Sequence, residues 1–209
     1  MGARPLLILA FDTSAAHCAA ALLEGNQPLA ARRIEMRRGQ AEALFPMLED
    51  LLAAAGKVWA DLGALAVGVG PGNFTGVRIS VAAARGLALG LAVPAIGVTR
   101  FETAALDRRC DGDAEPVTVT IEAGRGERFA QDCRAMRACA APRRIESAAD
   151  GAAPAQAAAP EPPADLAIRI GRVAAMRLAA GDDIARPAPC YLRPADALPP
   201  SDPAPRILP

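Results

Sequence analysis

The stretch that most restricts how this chain can fold is Leu65–Arg78, LAVGVGPGNFTGVR. An apolar, valine-bearing run over Ala64–Val69 gives way to a turn studded with Gly70, Pro71, Gly72 and Gly76. A long apolar segment, Val77–Leu91, follows. The order predicts a strand, a tight loop and a helix. Glycine permits positive φ and lets another backbone come close, while a helix start offers unpaired N–H groups that suit an anion. The phosphate motifs nevertheless fail on spacing. A P-loop closes on Lys followed by Ser or Thr, where this chain has Thr75-Gly76-Val77-Arg78, and its one lysine is Lys57. The dinucleotide pattern fails as well, because three residues separate Gly72 from Gly76. Two readings stay open: a phosphate cradle, or a turn that packs backbone on backbone.

The flanking sequence predicts more of the same architecture. Leu6–Phe11 is continuously apolar, as in a central strand buried on both faces, and it ends at the polar turn Asp12-Thr13-Ser14. Cys18–Glu24 and Pro28–Glu35 read as a hairpin around Gly25-Asn26. Leu44, Phe45, Leu48, Leu51, Leu52 and Ala55 recur at helical spacing and predict a helix over 40–55. Pro46 interrupts it unless the helix begins near Phe45, and Gly56 is its expected stop. Pro94–Val98 predicts a fifth strand and Phe101–Arg109 a short helix. Beyond Pro116, Val117–Ile121 predicts a strand, Gly124-Arg125-Gly126 a turn and Glu127–Met136 the returning strand. Ser147–Pro163, with eight alanines and four prolines, reads as a linker or loop. Leu166–Ile170 is read as a strand, Arg172–Ala180 as a helix stopped by Gly181, and the proline-rich tail Pro187–Pro209 as extended.

Charge excludes less than it allows. Over 209 residues, 23 basic groups balance 23 acidic ones, so no strong field draws the chain to nucleic acid or lipid. Seven aromatics leave little for stacking on bases. Residues 124–144 hold Arg125, Arg128, Arg134, Arg137, Arg143 and Arg144 against Glu127 and Asp132, a local net +4. That stretch is a candidate nucleic-acid-facing patch or an ordinary solvated face. Five cysteines without a C-x-x-C pair fit reduced thiols. No apolar run reaches the ~20 charge-free residues of a membrane span, and the N-terminus runs straight into a strand without a leader pattern. The expected setting is cytoplasmic.

Gly70-Pro71-Gly72-Asn73-Phe74-Thr75-Gly76-Val77-Arg78 resembles the GPGSFTGVR signature of the bacterial TsaB family, and Cys190-Tyr191-Leu192-Arg193 resembles its closing YLR. The likeness runs from about Leu6 to Thr99 and fades after Arg128. It implies an α/β actin-like ATPase (ASKHA, ribonuclease H-like) fold of two lobes with a reduced C-terminal lobe. The expected division is 1–107, then 108–195 containing the Ala/Pro-rich loop 147–163, then an extended tail, 196–209. The resemblance further implies a non-catalytic dimerisation subunit without a cofactor. It would hold a TsaD-like catalytic subunit active for threonylcarbamoylation of the tRNA adenosine beside the anticodon. A TsaE-like ATPase would be a further partner, tRNA would be met only through the complex, and the free chain would be a candidate homodimer.

The residues give that reading definite content. Asp12, Thr13, Ser14, Gly70, Gly72, Asn73, Thr75 and Gly76 would form a vestigial nucleotide-like loop, since no glycine follows Asp12 before Gly25. The rival is a small actin-like ATPase or kinase in which Asp12 and the 70–76 loop hold magnesium nucleotide. His17 and Cys18 form an isolated pair without further metal ligands at local spacing. Glu122 is expected to pin its hairpin against Arg125 or Arg128. Helices 40–55 and 77–91 carry more apolar surface than one sheet face needs, so a four-helix pairing between chains is expected, with roughly 800 Å² buried per partner. Gln40, Leu44, Phe45, Leu48, Arg78, Val81 and Arg85 are the expected contacts. On that reading Leu48→Arg breaks the pairing and spares the fold.

Overall fold

The computed structural model describes residues 5–106, 116–122, 127–134, 137–145 and 163–192. Five strands form the first sheet: β1 (Leu7–Asp12), β2 (His17–Glu24), β3 (Gln27–Glu35), β4 (Ala64–Gly68) and β5 (Ala95–Val98). Their order is β3-β2-β1-β4-β5. The first three strands pair antiparallel, while β4 and β5 join β1 in parallel. β1 and β4 are buried along their whole length, as continuous apolar runs require.

Helices cover both faces. α1 (Gln40–Ala54) and α2 (Phe74–Leu91) pack over Leu9, Phe11, Leu22, Leu65 and Val67. The opposite face, with Ile8, Ala10, Leu23, Ala66 and Ile96, lies under α4 (Pro163–Ala179). Alternation along each strand supplies both cores from one sequence.

A second sheet holds β6 (Val117–Glu122), β7 (Arg128–Arg134), β8 (Arg137–Ala138) and β9 (Arg143–Ile145), all antiparallel around β7. It packs Val119, Ile121, Phe129 and Cys133 against α3 (Arg100–Ala105). α3 opens with a capping box, in which Thr99 accepts from the Glu102 N–H at 3.2 Å and Glu102 accepts from the Thr99 N–H at 2.7 Å.

Two expectations are corrected and one is met. Leu166–Ile170 is helical, because Leu166, Ala167, Ile170, Val173 and Ala174 recur at helical period on the sheet; α4 therefore starts nine residues before Arg172. α1 does begin at Gln40, with Pro46 inside it on an exposed face. α2 begins at Phe74 rather than Val77, because the Asn73 side chain accepts from the Gly76 N–H at 3.1 Å and caps it. The stop after α1 is as expected: Gly56 takes φ +63°, and Lys57 N–H returns to the Leu52 carbonyl at 2.9 Å. The Gly124-Arg125-Gly126 turn, nearly all of 147–163 and the tail from Arg193 lie outside the described residues.

Candidate functional site

Asp12 ends β1 with its side chain 2% exposed. One carboxylate oxygen, Oδ1, accepts from the Ser14 N–H (2.9 Å), the Ser14 hydroxyl (2.9 Å) and His17 Nε2 (2.8 Å). This is an Asx-type turn with one addition that local spacing did not reveal: His17, at the start of β2, folds back and buries its ring against Asp12. The same carboxylate and, more strongly, burial push the Cys18 thiol up to about 11.

The glycine loop lies directly against that turn. The Thr13 hydroxyl donates to the Gly76 carbonyl (2.6 Å), and the Asn73 N–H donates to the Ser14 carbonyl (2.6 Å). A Cβ on Gly72 or Gly76 would collide with the Ser14 or Thr13 carbonyl. Gly70 turns the chain at φ +89°, and its carbonyl accepts from the Arg100 N–H at 2.9 Å. These glycines thus admit the 13–14 backbone, and the Asn73 and Gly76 N–H groups, the Thr13 hydroxyl and one oxygen of Asp12 are engaged within the chain. Thr75 and Gly72 stay exposed. Among the described residues, no cluster of three His, Cys, Asp or Glu side chains has metal-binding geometry.

The residues expected to meet a partner divide sharply. Leu44, Leu48 and Val81 are 1%, 0% and 3% exposed: they point into the chain's own core and are withdrawn as contacts. Their helical period marks the sheet-facing stripe, and the sheet claims it. Gln40 is half-buried and donates to the Met36 carbonyl at 3.2 Å, tying α1 to β3. Phe45 and Arg78 face outward. Arg85 is half-buried and donates through Nε to the Pro187 carbonyl at 2.7 Å. It holds down the segment after α4 instead of marking the rim of an interface.

That segment is the feature sequence reasoning valued least. Residues 182–192 cross the ends of β4 and β5: the Cys190 N–H donates to the Val69 carbonyl at 2.8 Å, Leu192 packs half-buried against the core of the second sheet, and the Tyr191 hydroxyl accepts from Arg78 Nε at 2.9 Å. Between the segment and Gly97, Thr99, Glu102 and Arg177 lies a cleft of about 280 Å³. Arg177 bridges its floor, donating to Glu102 and, at 2.9 Å, to the Gly97 carbonyl. The resemblance of 190–193 to a family ending was the one signal available beforehand.

The expected basic patch is partly neutralised. Arg143 pairs with Asp132, Arg144 with Glu127 and Arg137 with Asp182. Hydrogen bonds from Thr118 and then Arg143 hold the Asp132 carboxyl below its ordinary value. Glu122 stands opposite Arg128 in the β6–β7 ladder; Arg125 lies outside the described residues.

A 3-2-1-4-5 sheet with an acidic strand end facing a glycine loop defines an α/β protein of the actin-like ATPase, ribonuclease H-like type. Comparison with known proteins narrows this. Residues 35–184 match the family described as TsaD: tRNA N6-adenosine threonylcarbamoyltransferase, and the chain belongs to that family as a TsaB member. It is 40% identical over 121 residues to the tRNA threonylcarbamoyladenosine biosynthesis protein TsaB of Escherichia coli, covering 57% of this chain and 52% of that one. An uncharacterized Mycobacterium bovis protein is 34% identical over 206 residues, covering 92% and 94%. A crystal structure from Pseudomonas aeruginosa, of an uncharacterized protein with similarity to peptidase YEAZ, superposes with TM-score 0.69 at 29% identity, over 90% of this chain and all of the other. The chain spans about half the length of the E. coli TsaB that it matches.

Proposed function

We propose that this chain is a non-catalytic scaffold subunit that docks on a TsaD-type catalytic subunit and supports threonylcarbamoylation of tRNA adenosine in the cytoplasm. The observation that carries the reading is the outer side of α2. Leu89 is 86% exposed and Phe74 44%, while Ala82, Gly86 and Gly90 lie open beside them. By length and composition alone α2 is apolar enough to cross a membrane, and only 28% of its residues are buried. A helix this apolar, packed on a sheet along one side only, suits a protein partner along the other. The self-occupied Asp12–Gly76 junction favours a vestigial nucleotide loop over the ATPase alternative.

The docking lobe would be residues 1–107, with 108–195 as a smaller second lobe and 196–209 as a tail. Phe45, Phe74, Arg78 and Leu89 replace the withdrawn core leucines as contacts. A TsaE-like ATPase joining the pair, tRNA met only through the complex and a homodimer in isolation belong to the same proposal. Light scattering of the chain alone and mixed with a TsaD-type subunit tests it: the expected product is a mixed complex, with no ATP turnover by the chain alone. Absence of a mixed complex, or ATP turnover abolished by Asp12→Asn, overturns it.

A further inference from the structure

Arg78 carries a geometry that the docking reading does not explain by itself. Its guanidinium carbon stands 3.7 Å from the Phe74 ring centroid and 5.9 Å from that of Tyr191. The two rings lie 5.2 Å apart, tilted by 32°. Nε donates to the Tyr191 hydroxyl, so the guanidinium is held over the Phe74 ring and oriented through its inner nitrogen. Its two terminal nitrogens have no acceptor among the described residues. Arg85, the other charge on α2, is turned into the chain by Pro187.

An outward cation on an otherwise apolar helix is a problem for any protein that covers the helix. Burying it unpaired is strongly unfavourable, and the covering surface must supply an acceptor. A fixed guanidinium edge presents two parallel N–H donors, which match a carboxylate bidentately. We infer that Phe74, Arg78 and Tyr191 form a preorganised carboxylate receptor on the docking face, filled by an Asp or Glu of the partner protein. Tyr191 acts as the positioning residue. This inference rests on the docking reading and names the chemistry of its partner. A phosphate of RNA is the less suitable occupant: nucleic-acid contacts gather several cations, and on the open side of α2 Arg78 is the one outward cation, while Arg137, Arg143 and Arg144 are paired with carboxylates.

The test is calorimetric titration of the TsaD-type subunit with wild type, Arg78→Ala, Arg78→Lys and Tyr191→Phe at two salt concentrations. Arg78 and Tyr191 are exposed, so all variants should melt close to wild type. Arg78→Ala should weaken association at least about tenfold and flatten its salt dependence. Arg78→Lys should rescue little, lacking the fork. Tyr191→Phe, which keeps the ring and loses the acceptor, should cost about threefold. Wild-type affinity in Arg78→Ala, or full rescue by lysine, overturns the receptor while leaving the docking reading in place. So does an Arg78→Ala complex that assembles normally but binds tRNA less tightly. Failure of the wild-type chain to associate overturns both.

Discussion

α2 and α4 lie on opposite faces of the same sheet, and they finish differently. α4 uses nearly all of its surface. Ala167, Ile170, Val173 and Ala174 enter the core, Gly171 lets Leu23 come close, and its flanking arginines reach sideways, Arg169 to the Thr103 carbonyl and Arg177 to Gly97 and Glu102. α2 buries Val77, Ser80, Val81 and Ala84 and leaves Ala82, Gly86, Leu89 and Gly90 uncovered. Both helices are apolar enough to be core. The difference teaches that apolar content alone does not separate a finished helix from a docking helix. What separates them is whether the far side has been given polar groups or other neighbours.

The largest effect should come from confusing the two sides of the docking pair. Leu48→Arg places a charge in the sealed core under α1 and should cost about 4 kcal/mol or more, seen as loss of cooperative unfolding in denaturant. Leu89→Asp, on the open side of α2, should shift stability by no more than about 0.5 kcal/mol while abolishing the mixed complex. If Leu89→Asp also unfolds the chain, the open side is not open. A finer contrast uses glycines. Gly171→Ala drives a methyl into Leu23. It should lose about 1 kcal/mol net, an overpacking cost of roughly 1–3 kcal/mol less the roughly 1 kcal/mol a helix gains from alanine. Gly86→Ala meets nothing within 4 Å and should gain about 0.5–1 kcal/mol. Equal effects at the two sites would erase the distinction between the helices.

The smallest effect belongs to the second sheet, where Thr118 and Arg143 lower the Asp132 carboxyl from its ordinary 3.8. A depressed carboxyl stabilises the folded state above its unfolded value, and that contribution is lost as pH falls through the lowered folded one. Asp132→Asn should therefore melt slightly below wild type at pH 7, with the gap closing below about pH 4. A gap that widens in acid contradicts the assignment.

Much of the first sheet was legible because buried strands and a glycine-bounded helix leave local marks. Leu7–Asp12, Ala64–Gly68 and the hairpin between β2 and β3 fall within a residue or two of their expected bounds. Leu166–Ile170 misled, because four apolar residues in five satisfy strand and helix alike until the next turn is counted. The site was harder to read. Asp12 and His17 were visible as residues but not as partners, since their contact depends on how β2 turns back on β1. Arg78 and Arg85 were both expected as contacts, yet a segment more than a hundred residues later separates their roles.

By itself the sequence determined the strand, glycine loop and helix at the centre of the chain, the family likeness that goes with them, and the surplus of apolar surface on α1 and α2. Those depend on period, turn chemistry and composition, which neighbours in the chain can express. Only the tertiary structure decided which apolar residues were surplus. Leu48 and Leu89 are the same side chain on helices of similar character, and the sheet buries one at 0% and leaves the other at 86% exposed. A helix presents its residues all round its axis, so the side that becomes core is fixed by whatever packs against it.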